Sequence, residues 1–495
     1  MEYYTIVMIN KSLINRLFFG VTSTSLSQLI GILQTIITVP FFISAWGVDQ
    51  YGNWIILTSI TMYINLLDFG GQNYIGNILT KNYINKEHDT FRNNLSKGLS
   101  VFIFITIITI IILSVITILL KKYFLIHNFS IQDLYIFFIV GVTFLISIPS
   151  GILITVYRAC GKYTRATMIG NILKIISLII TIILLFYKIS MFNYSLFLLI
   201  SGIIGTTIFI IDIRNSFKSI RGININYQNT IKGFKFLRGS ASFWIIALSN
   251  TINIQGVILV LSLYVSPATV VLYTTHKMFG NMIGYIGSIF QAPFWPEITN
   301  LWTLDHKTKL RRLLLKSISI IMLLSALFIF IIWLFIPYFY TIWSNNKLNI
   351  NTTILFYIFL QSFLSSGWTT SGWILYATNN TNKIAIFSLL NAMLTILFSF
   401  ILIPKFQILG LCFATILGDF LFGFIAYPLT VSHILKLKTF KIYKIFFDLI
   451  LITIPIFLFF FIFKTIYLNL LIVLIWIFVV IKFSNIFKNL RFLKY

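Results

Sequence analysis

Long stretches with almost no charge recur along the whole chain and restrict it to one kind of fold. Residues 99–120 and 193–211 contain no Asp, Glu, Lys or Arg. A run of 18 or more apolar residues is long enough to cross the ~30 Å hydrocarbon core of a membrane as a helix. Because 58% of the residues are hydrophobic and only 10% are charged, water cannot be the main solvent of the fold. The sequence therefore predicts an all-α polytopic membrane protein.

Apolar runs and their lengths predict about 14 transmembrane helices. They cover residues 17–45, 51–69, 99–120, 134–157, 166–187, 193–211, 241–264, 270–295, 313–343, 353–378, 384–403, 407–430, 446–463 and 466–484. The longest basic connection, 212–240, follows the sixth helix. We therefore predict an N-lobe of six helices (1–220), a C-lobe of six helices (221–440), and a C-terminal helix pair with a cytoplasmic tail (441–495).

Basic residues lie mainly on one side of this predicted topology. Of the 37 Lys and Arg residues, 29 lie at the N-terminus or in the connections on the same side as it, and six lie on the opposite side. Cytoplasmic loops carry such an excess, so both termini are predicted to be cytoplasmic. The net charge of +26 is spread in small groups between spans, which indicates membrane anchoring rather than nucleic-acid binding.

Two lysines, Lys174 and Lys277, fall inside predicted spans instead of loops. An unpaired lysine at the bilayer centre costs about 3 kcal/mol on insertion scales. Snorkelling of the long side chain to the headgroups is one explanation for both residues. The other is that they face a water-filled cavity, where a lysine would attract an anionic group such as a phosphate.

Polar side chains repeat at helical spacing in predicted helices 1, 2, 7 and 8. These stripes include Gln28, Asn65, Asn250, Asn253 and Asn281. Individual hydroxyl and amide groups often hold packed membrane helices together. Whole stripes on four helices favour a shared aqueous cavity.

Two acidic residues are candidates for ion coupling. Asp419 lies in the middle of predicted helix 12 with no basic residue one turn away, so it could carry a proton or help coordinate a cation. Asp68 is predicted at the cytoplasmic end of helix 2, where a solvated helix-end carboxylate is the simpler interpretation. Asp212, also at a helix end, is expected to be solvated or paired with a basic loop.

Glycine spacing gives one packing prediction. Gly280 and Gly284 are spaced as GxxxG in predicted helix 8, which allows that helix to approach a neighbour closely. The two cysteines, Cys160 and Cys412, and the five histidines show neither a disulfide framework nor metal-ligand spacing.

Several short motifs carry a resemblance to a known family. They are Tyr51-Gly52-x-Trp54, Leu67-Asp68-Phe69-Gly70, Tyr157-Arg158-x-x-Gly161-Lys162-Tyr163, the basic segment Lys232–Arg238, and Trp295-Pro296. With these motifs, the chain resembles the Wzx-type O-antigen flippases, in the polysaccharide transporter branch of the MATE-like MOP flippase superfamily, over nearly its whole length. It differs from the related lipid II flippases in lacking an arginine in helix 1.

The resemblance implies two six-helix lobes around a central cavity lined by helices 1, 2, 7 and 8, plus two C-terminal helices. It implies a multi-pass protein of the bacterial cytoplasmic membrane that moves an undecaprenyl-diphosphate-linked oligosaccharide by alternating access. Lys277, with Lys174 and Arg158, would then bind the diphosphate, and the polar stripes would accept the glycan. We expect no enzymatic activity and no cofactor apart from H⁺ or Na⁺ as a coupling ion. Other expected partners are membrane lipids, a polysaccharide polymerase and a chain-length regulator.

Two other functions remain open from the sequence. A multidrug or cation antiporter of the same fold would need carboxylates to hold cations, yet the predicted interior is basic or neutral apart from Asp419. A membrane O-antigen polymerase or ligase generally carries a large outer loop with catalytic Arg or His residues. The predicted outer loops are short and contain one histidine, His127.

Overall fold

The computed structural model of the chain describes residues 2–123, 130–217, 222–378, 380–462 and 473, and these residues form helices and short connections without a β-strand. The α-helices are α1 (Glu2–Trp46), α2 (Val48–Thr61), α3 (Gly71–Ile84), α4 (His88–Tyr123), α5 (Ile131–Ala159), α6 (Tyr163–Phe186), α7 (Met191–Ser216), α8 (Tyr227–Gly233), α9 (Lys235–Gly239), α10 (Ala241–Thr251), α11 (Val257–Ser262), α12 (Pro267–Thr303), α13 (Lys307–Trp343), α14 (Thr352–Ala377), α15 (Thr381–Gly418), α16 (Tyr427–Ile434) and α17 (Thr439–Ile462). The predicted last helix, 466–484, lies outside the described residues apart from residue 473.

Nine stretches of the described chain are long and apolar enough to cross a membrane, as expected for a multi-pass membrane protein. One of them, Thr381–Ile434, has 54 residues and could span about 80 Å as a continuous helix, more than twice the hydrocarbon thickness. The backbone breaks within it at Gln407 (φ 51°, ψ −126°), shortly after Pro404. This break falls where the sequence predicts the boundary between helices 11 and 12.

The second predicted span is longer than expected. A 3₁₀ segment, Met62–Asp68, follows α2, and the chain then continues as α3, so Val48–Ile84 forms one candidate span of 37 residues. The helical run ends at Phe69 (φ 47°) and Gly70 (φ 69°), as predicted, but helix α3, which follows directly within the same candidate span, was not predicted. Asp68 therefore lies at an internal break and is half-buried.

Side chains from the same unit of the fold satisfy the backbone groups at this break. The Asp68 carboxylate accepts a hydrogen bond from the Gly70 amide at 2.8 Å. The Ser240 hydroxyl donates to the Phe69 carbonyl at 2.5 Å, and the Trp244 indole donates to the Leu66 carbonyl at 2.9 Å. Broken helices within membrane proteins persist where neighbouring groups re-satisfy the freed backbone atoms in this way.

The chain divides into two compact units, Met1–Leu259 and Val260–Tyr495. In the first unit, α3, α4, α5 and α7 enclose a core that includes the fully buried Ile75, Leu79, Phe91 and Phe102. In the second unit, α14 is central and contacts α12, α13, α15, α16 and α17. The three-part division at residues 220 and 440 stays a prediction.

The break after Asp68 gives a stability prediction. We expect Gly70→Ala to lower the free energy of unfolding by about 1–3 kcal/mol, because a side chain at positive φ is strained. Its Cβ would also lie only 2.7 Å from the Trp244 amide nitrogen and 2.8 Å from the Phe243 Cβ. Intrinsic tryptophan fluorescence during heating of the purified protein measures the effect as a lower midpoint.

Gly170→Ala is the matched control, since Gly170 lies within α6 and has nothing within 4 Å of an added Cβ. Alanine there should leave the midpoint unchanged or raise it, because alanine is the better helix former. A Gly70→Ala protein with the wild-type midpoint would contradict the structural role of the break.

Candidate functional site: a lysine–amide–carboxylate relay

Hydrogen bonds on either side of Lys277 anchor the helix that carries it. On α12, the Thr275 hydroxyl bonds with the Tyr340 hydroxyl of α13 at 2.9 Å. The next residue, His276, accepts a hydrogen bond at Nε2 from the Asn351 amide at 3.0 Å, at the start of α14. Its other ring nitrogen lies 2.7 Å from the Leu272 carbonyl, so Nδ1 carries the proton. Lys277 therefore extends from a helix fixed to both of its neighbours.

A glycine one turn further along lets α12 and α14 approach each other closely. A Cβ at Gly280 would lie 2.5 Å from Ile358 Cγ2 and 2.9 Å from Ser362 Oγ, both on α14. The predicted close approach of this helix is confirmed at Gly280. Gly284 has nothing within 4 Å of an added Cβ, so its half of the GxxxG pattern faces open space.

This close approach brings Lys277 to a hydrogen-bonded chain of side chains, which we call the relay. The Lys277 ammonium donates to Gln361 Oε1 at 2.6 Å, and Gln361 Nε2 donates to Asp419 Oδ2 at 2.6 Å. On the other side of the carboxylate, Asn391 Nδ2 donates to Asp419 Oδ1 at 3.1 Å. Thr395 Oγ1 completes the relay by donating to Asn391 Oδ1 at 3.1 Å. Four helical segments of the second unit thus contribute to one site.

The relay joins a positive and a negative group without direct contact between them. The ion pairs formed by the described residues include neither Lys277 nor Asp419, and each of these two residues is half-buried. Taking an ion out of water costs several kcal/mol unless opposite charge and hydrogen bonds compensate. Gln361 supplies one hydrogen bond to each ion, and Asn391 supplies a second one to the carboxylate.

The helix that continues from Asp419 is irregular. A π-helical segment, Asp419–Ala426, begins at this residue, and such segments often occur at functional sites. The preceding Gly418 packs against the first half of α15, where an added Cβ would lie 3.1 Å from Asn391 Oδ1. A cavity of about 220 Å³ lies beside the relay and is lined by Gln361, Asp419, Trp368 and Phe420 among others.

The other predicted basic site residues lie in the first unit. Lys174 on α6 is exposed and donates to the Ser27 hydroxyl of α1 at 3.2 Å. Arg158, in the last turn of α5, donates to the Asn73 carbonyl at 3.2 Å and to Asn77 Oδ1 at 3.4 Å. Both cations therefore contact polar groups of a neighbouring helix, and neither belongs to the relay.

The predicted polar stripes occupy varied surroundings. Gln28 is half-buried on α1, and Asn65 Oδ1 accepts from the Ser147 hydroxyl at 3.5 Å. Asn250 is exposed at the end of α10, while Asn253 is half-buried in a π-helical segment, Ile252–Gly256. Asn281 is exposed on α12, four residues after Lys277. Their assignment to glycan binding stays a prediction.

One predicted helix-end pairing is confirmed outside the relay. Two guanidinium nitrogens of Arg165 donate to Asp212, Nε to Oδ2 at 3.0 Å and Nη2 to Oδ1 at 2.5 Å. The buried Tyr157 hydroxyl donates to the same carboxylate at 2.6 Å. Asp212 is therefore fully engaged in holding α5, α6 and α7 together.

Sequence analysis missed the two amides of the relay, Gln361 and Asn391. Lys277 and Gln361 are 84 residues apart, and Gln361 and Asp419 are 58 apart, so no helical spacing connects them. The available signal was that each is an amide inside a largely apolar helix, where a polar side chain needs a partner on another helix. Among the described residues, no three His, Cys, Asp or Glu side chains could together hold a metal ion.

Comparison with known proteins identifies the fold. No protein-family model and no curated protein sequence matches the chain. Among solved structures, it is similar to an inward-facing multidrug resistance MATE family transporter of the MOP superfamily (TM-score 0.67, 14% identity, covering 83% of this chain and 95% of that one). It is also similar to the lipid II flippase MurJ in an inward closed conformation (TM-score 0.69, 15% identity, 95% and 99% covered). An outward-facing MATE family transporter matches as well (TM-score 0.61, 12% identity, 86% and 96% covered). The chain therefore has the fold of MOP superfamily membrane transporters.

The close approach at Gly280 gives a second prediction. We expect Gly280→Val to force α12 and α14 apart and destabilise the second unit by about 1–3 kcal/mol, the typical cost of overpacking. Gly284→Val, one turn further on the same helix, meets open space and should be tolerated. The fraction of each purified variant that stays monodisperse in size-exclusion chromatography after heating gives the comparison. Equal losses in the two variants would contradict the asymmetry between the two glycines.

Proposed function

We propose that this protein is a flippase of the bacterial cytoplasmic membrane, with about fourteen spans and cytoplasmic termini. Its substrate would be an undecaprenyl-diphosphate-linked oligosaccharide, an O-antigen or similar polysaccharide repeat unit. The protein would move this substrate from the inner to the outer leaflet by alternating access, as a carrier without enzymatic activity. The observation that carries the proposal is the Lys277 ammonium held within a helical bundle by the neutral Gln361 amide.

The chemistry of Lys277 suits an anionic group of the substrate. An ammonium has three N–H donors, and Gln361 accepts from one of them. Because the accepting group is an amide and not a carboxylate, the positive charge of Lys277 is not neutralised by direct contact. A diphosphate offers several acceptor oxygens and negative charge, which a lysine binds as a compact point charge.

The remaining cations of the predicted site favour the same class of substrate. Lys174 and Arg158 each contact neutral hydroxyl, carbonyl or amide groups. These contacts position the side chains without neutralising them. The partners that we propose with this function are a lipid-linked oligosaccharide as substrate, membrane lipids around the prenyl chain, and downstream a polysaccharide polymerase and a chain-length regulator.

A multidrug or cation antiporter is the second candidate, since MATE transporters share the fold. A carrier of organic cations needs a carboxylate that the cation can reach. The Asp419 carboxylate already accepts hydrogen bonds from two amides, Gln361 and Asn391, and Lys277 lies at the other end of the relay. A cation would have to displace these donors next to a positive charge, so we favour the flippase.

Replacement of Lys277 tests the proposed function. Lys277→Gln keeps a side chain of moderate length that can donate a hydrogen bond, but it removes the positive charge. We therefore expect the amount of surface polysaccharide to fall at least about tenfold, which corresponds to about 1.4 kcal/mol of lost binding free energy. Immunoblotting of surface polysaccharide in the native bacterium, with the variant replacing its own gene copy, measures this. The amount of variant protein in the membrane fraction is determined in parallel.

Lys188→Ala is the control, because Lys188 is an exposed lysine in the connection after α6. It should support wild-type polysaccharide levels. Normal polysaccharide with Lys277→Gln would remove this lysine from the mechanism. Loss of drug resistance together with normal polysaccharide would favour the antiporter instead.

A further inference from the structure

We propose that Gln361 is a positioning residue that couples protonation of Asp419 to the release of Lys277 for binding an anion. The inference rests on the proposed function in one respect: the anion is the diphosphate of the substrate. It goes further in identifying the coupling ion as a proton and in assigning a role to an amide between the two charged groups.

The orientation of the Gln361 amide is dictated by its two neighbours. An ammonium can only donate hydrogen bonds, so the atom facing Lys277 has to be the carbonyl oxygen, Oε1. An ionised carboxylate can only accept them, so the atom facing Asp419 has to be the amide nitrogen, Nε2. The amide thus keeps Lys277 engaged as long as Asp419 is ionised.

Protonation of Asp419 reverses this preference. A proton taken from water adds to Oδ2 and forms a carboxylic acid, whose O–H now needs an acceptor, while the facing Nε2 is a donor. A half-turn of the amide brings Oε1 to this O–H and turns Nε2 towards Lys277. Two donors then face each other, so the bond between Lys277 and Gln361 is lost. One proton has been gained, and no covalent bond other than O–H has formed.

The surroundings allow this rearrangement. The ~220 Å³ cavity borders both Gln361 and Asp419, which leaves the amide room to rotate. Asn391 can keep its bond to the other carboxylate oxygen, Oδ1, throughout. The carboxylate is thereby held in place while its second oxygen changes partners.

Other titratable groups near the relay come from three of the helices packed around α14: α12, which carries His276 beside Lys277, and α15 and α16. Tyr427 on α16 interacts electrostatically with Asp419, and its hydroxyl bonds with that of Ser388 at 3.2 Å. Cys412 on α15 interacts electrostatically with Lys277, which is itself on α12. α17 contributes Phe447 and Ile450, both apolar, to the cavity. Among these groups, Asp419 is the carboxylate of the relay and Lys277 is its cation.

In this geometry, protonation of Asp419 and binding of an anion at Lys277 are thermodynamically linked. If protonation of Asp419 frees Lys277, an anion on Lys277 favours protonation of Asp419 by the same factor. Anion affinity should then rise as the pH falls, by up to about tenfold per pH unit where one proton is taken up. Through-space repulsion between Asp419 and the anion would act in the same direction, so the test has to isolate the amide.

Binding of farnesyl diphosphate to the full-length protein in lipid nanodiscs, measured over a pH series, tests the coupling. Because the diphosphate itself titrates, each variant is compared with the wild type at every pH.

Asp419→Asn should bind with the low-pH affinity of the wild type throughout. Gln361→Leu should lose most of the wild-type pH dependence. Ser365→Ala should keep it, because among the described residues the Ser365 hydroxyl bonds only to the Ser362 carbonyl of its own helix. Size-exclusion profiles confirm that each variant is folded.

The possible results separate the two proposals. If Gln361→Leu keeps the wild-type pH dependence of diphosphate affinity, coupling through the amide is overturned. If Asp419→Asn keeps it, any role of that carboxylate is overturned. Either result leaves the flippase proposal intact if Lys277→Ala binds the diphosphate at least about tenfold more weakly. Wild-type affinity in Lys277→Ala would instead contradict the diphosphate site on which both proposals depend.

Discussion

The cost of holding charge among apolar helices shapes the second unit of this protein. A lysine and an aspartate inside such a bundle are tolerated only if each has compensating charge and hydrogen bonds. The Gln361 amide contacts both Lys277 and Asp419, and Asn391 and Thr395 extend the compensation on the acidic side. The packing of the helices around this relay brings these five side chains together.

Small residues and helix irregularities provide that arrangement. Gly280 lets α12 approach α14, and Gly418 lets the second half of α15 approach the first. A π-helical segment begins at Asp419, the residue that supplies the carboxylate. In the first unit, the break at Phe69 and Gly70 plays a comparable part, since Ser240 and Trp244 satisfy the carbonyls that it frees.

The all-helical membrane fold could be predicted from the sequence, because the length and hydropathy of the apolar runs favour membrane spans. Lys277 and Asp419 stood out as charges without a partner on their own helix, and Gly280 stood out by its spacing. Gln361 and Asn391 did not, since their roles depend on packing between helices that are distant in sequence. The end of helix 2 at residue 69 was predicted from Gly70-Gly71, but helix α3 was not, since its burial through Ile75 and Leu79 depends on packing against other helices.

Lys277 and Asp419 stabilise each other through the relay. A double-mutant cycle measures the coupling free energy between them most directly. Lys277→Met and Asp419→Leu each leave one charge inside the bundle without its counterpart, whereas the double variant leaves none. Unfolding midpoints of the four purified proteins should show the double variant to be more stable than either single variant, with a coupling of about 1–3 kcal/mol. Additive losses, with the double variant the least stable of the four, would contradict the account.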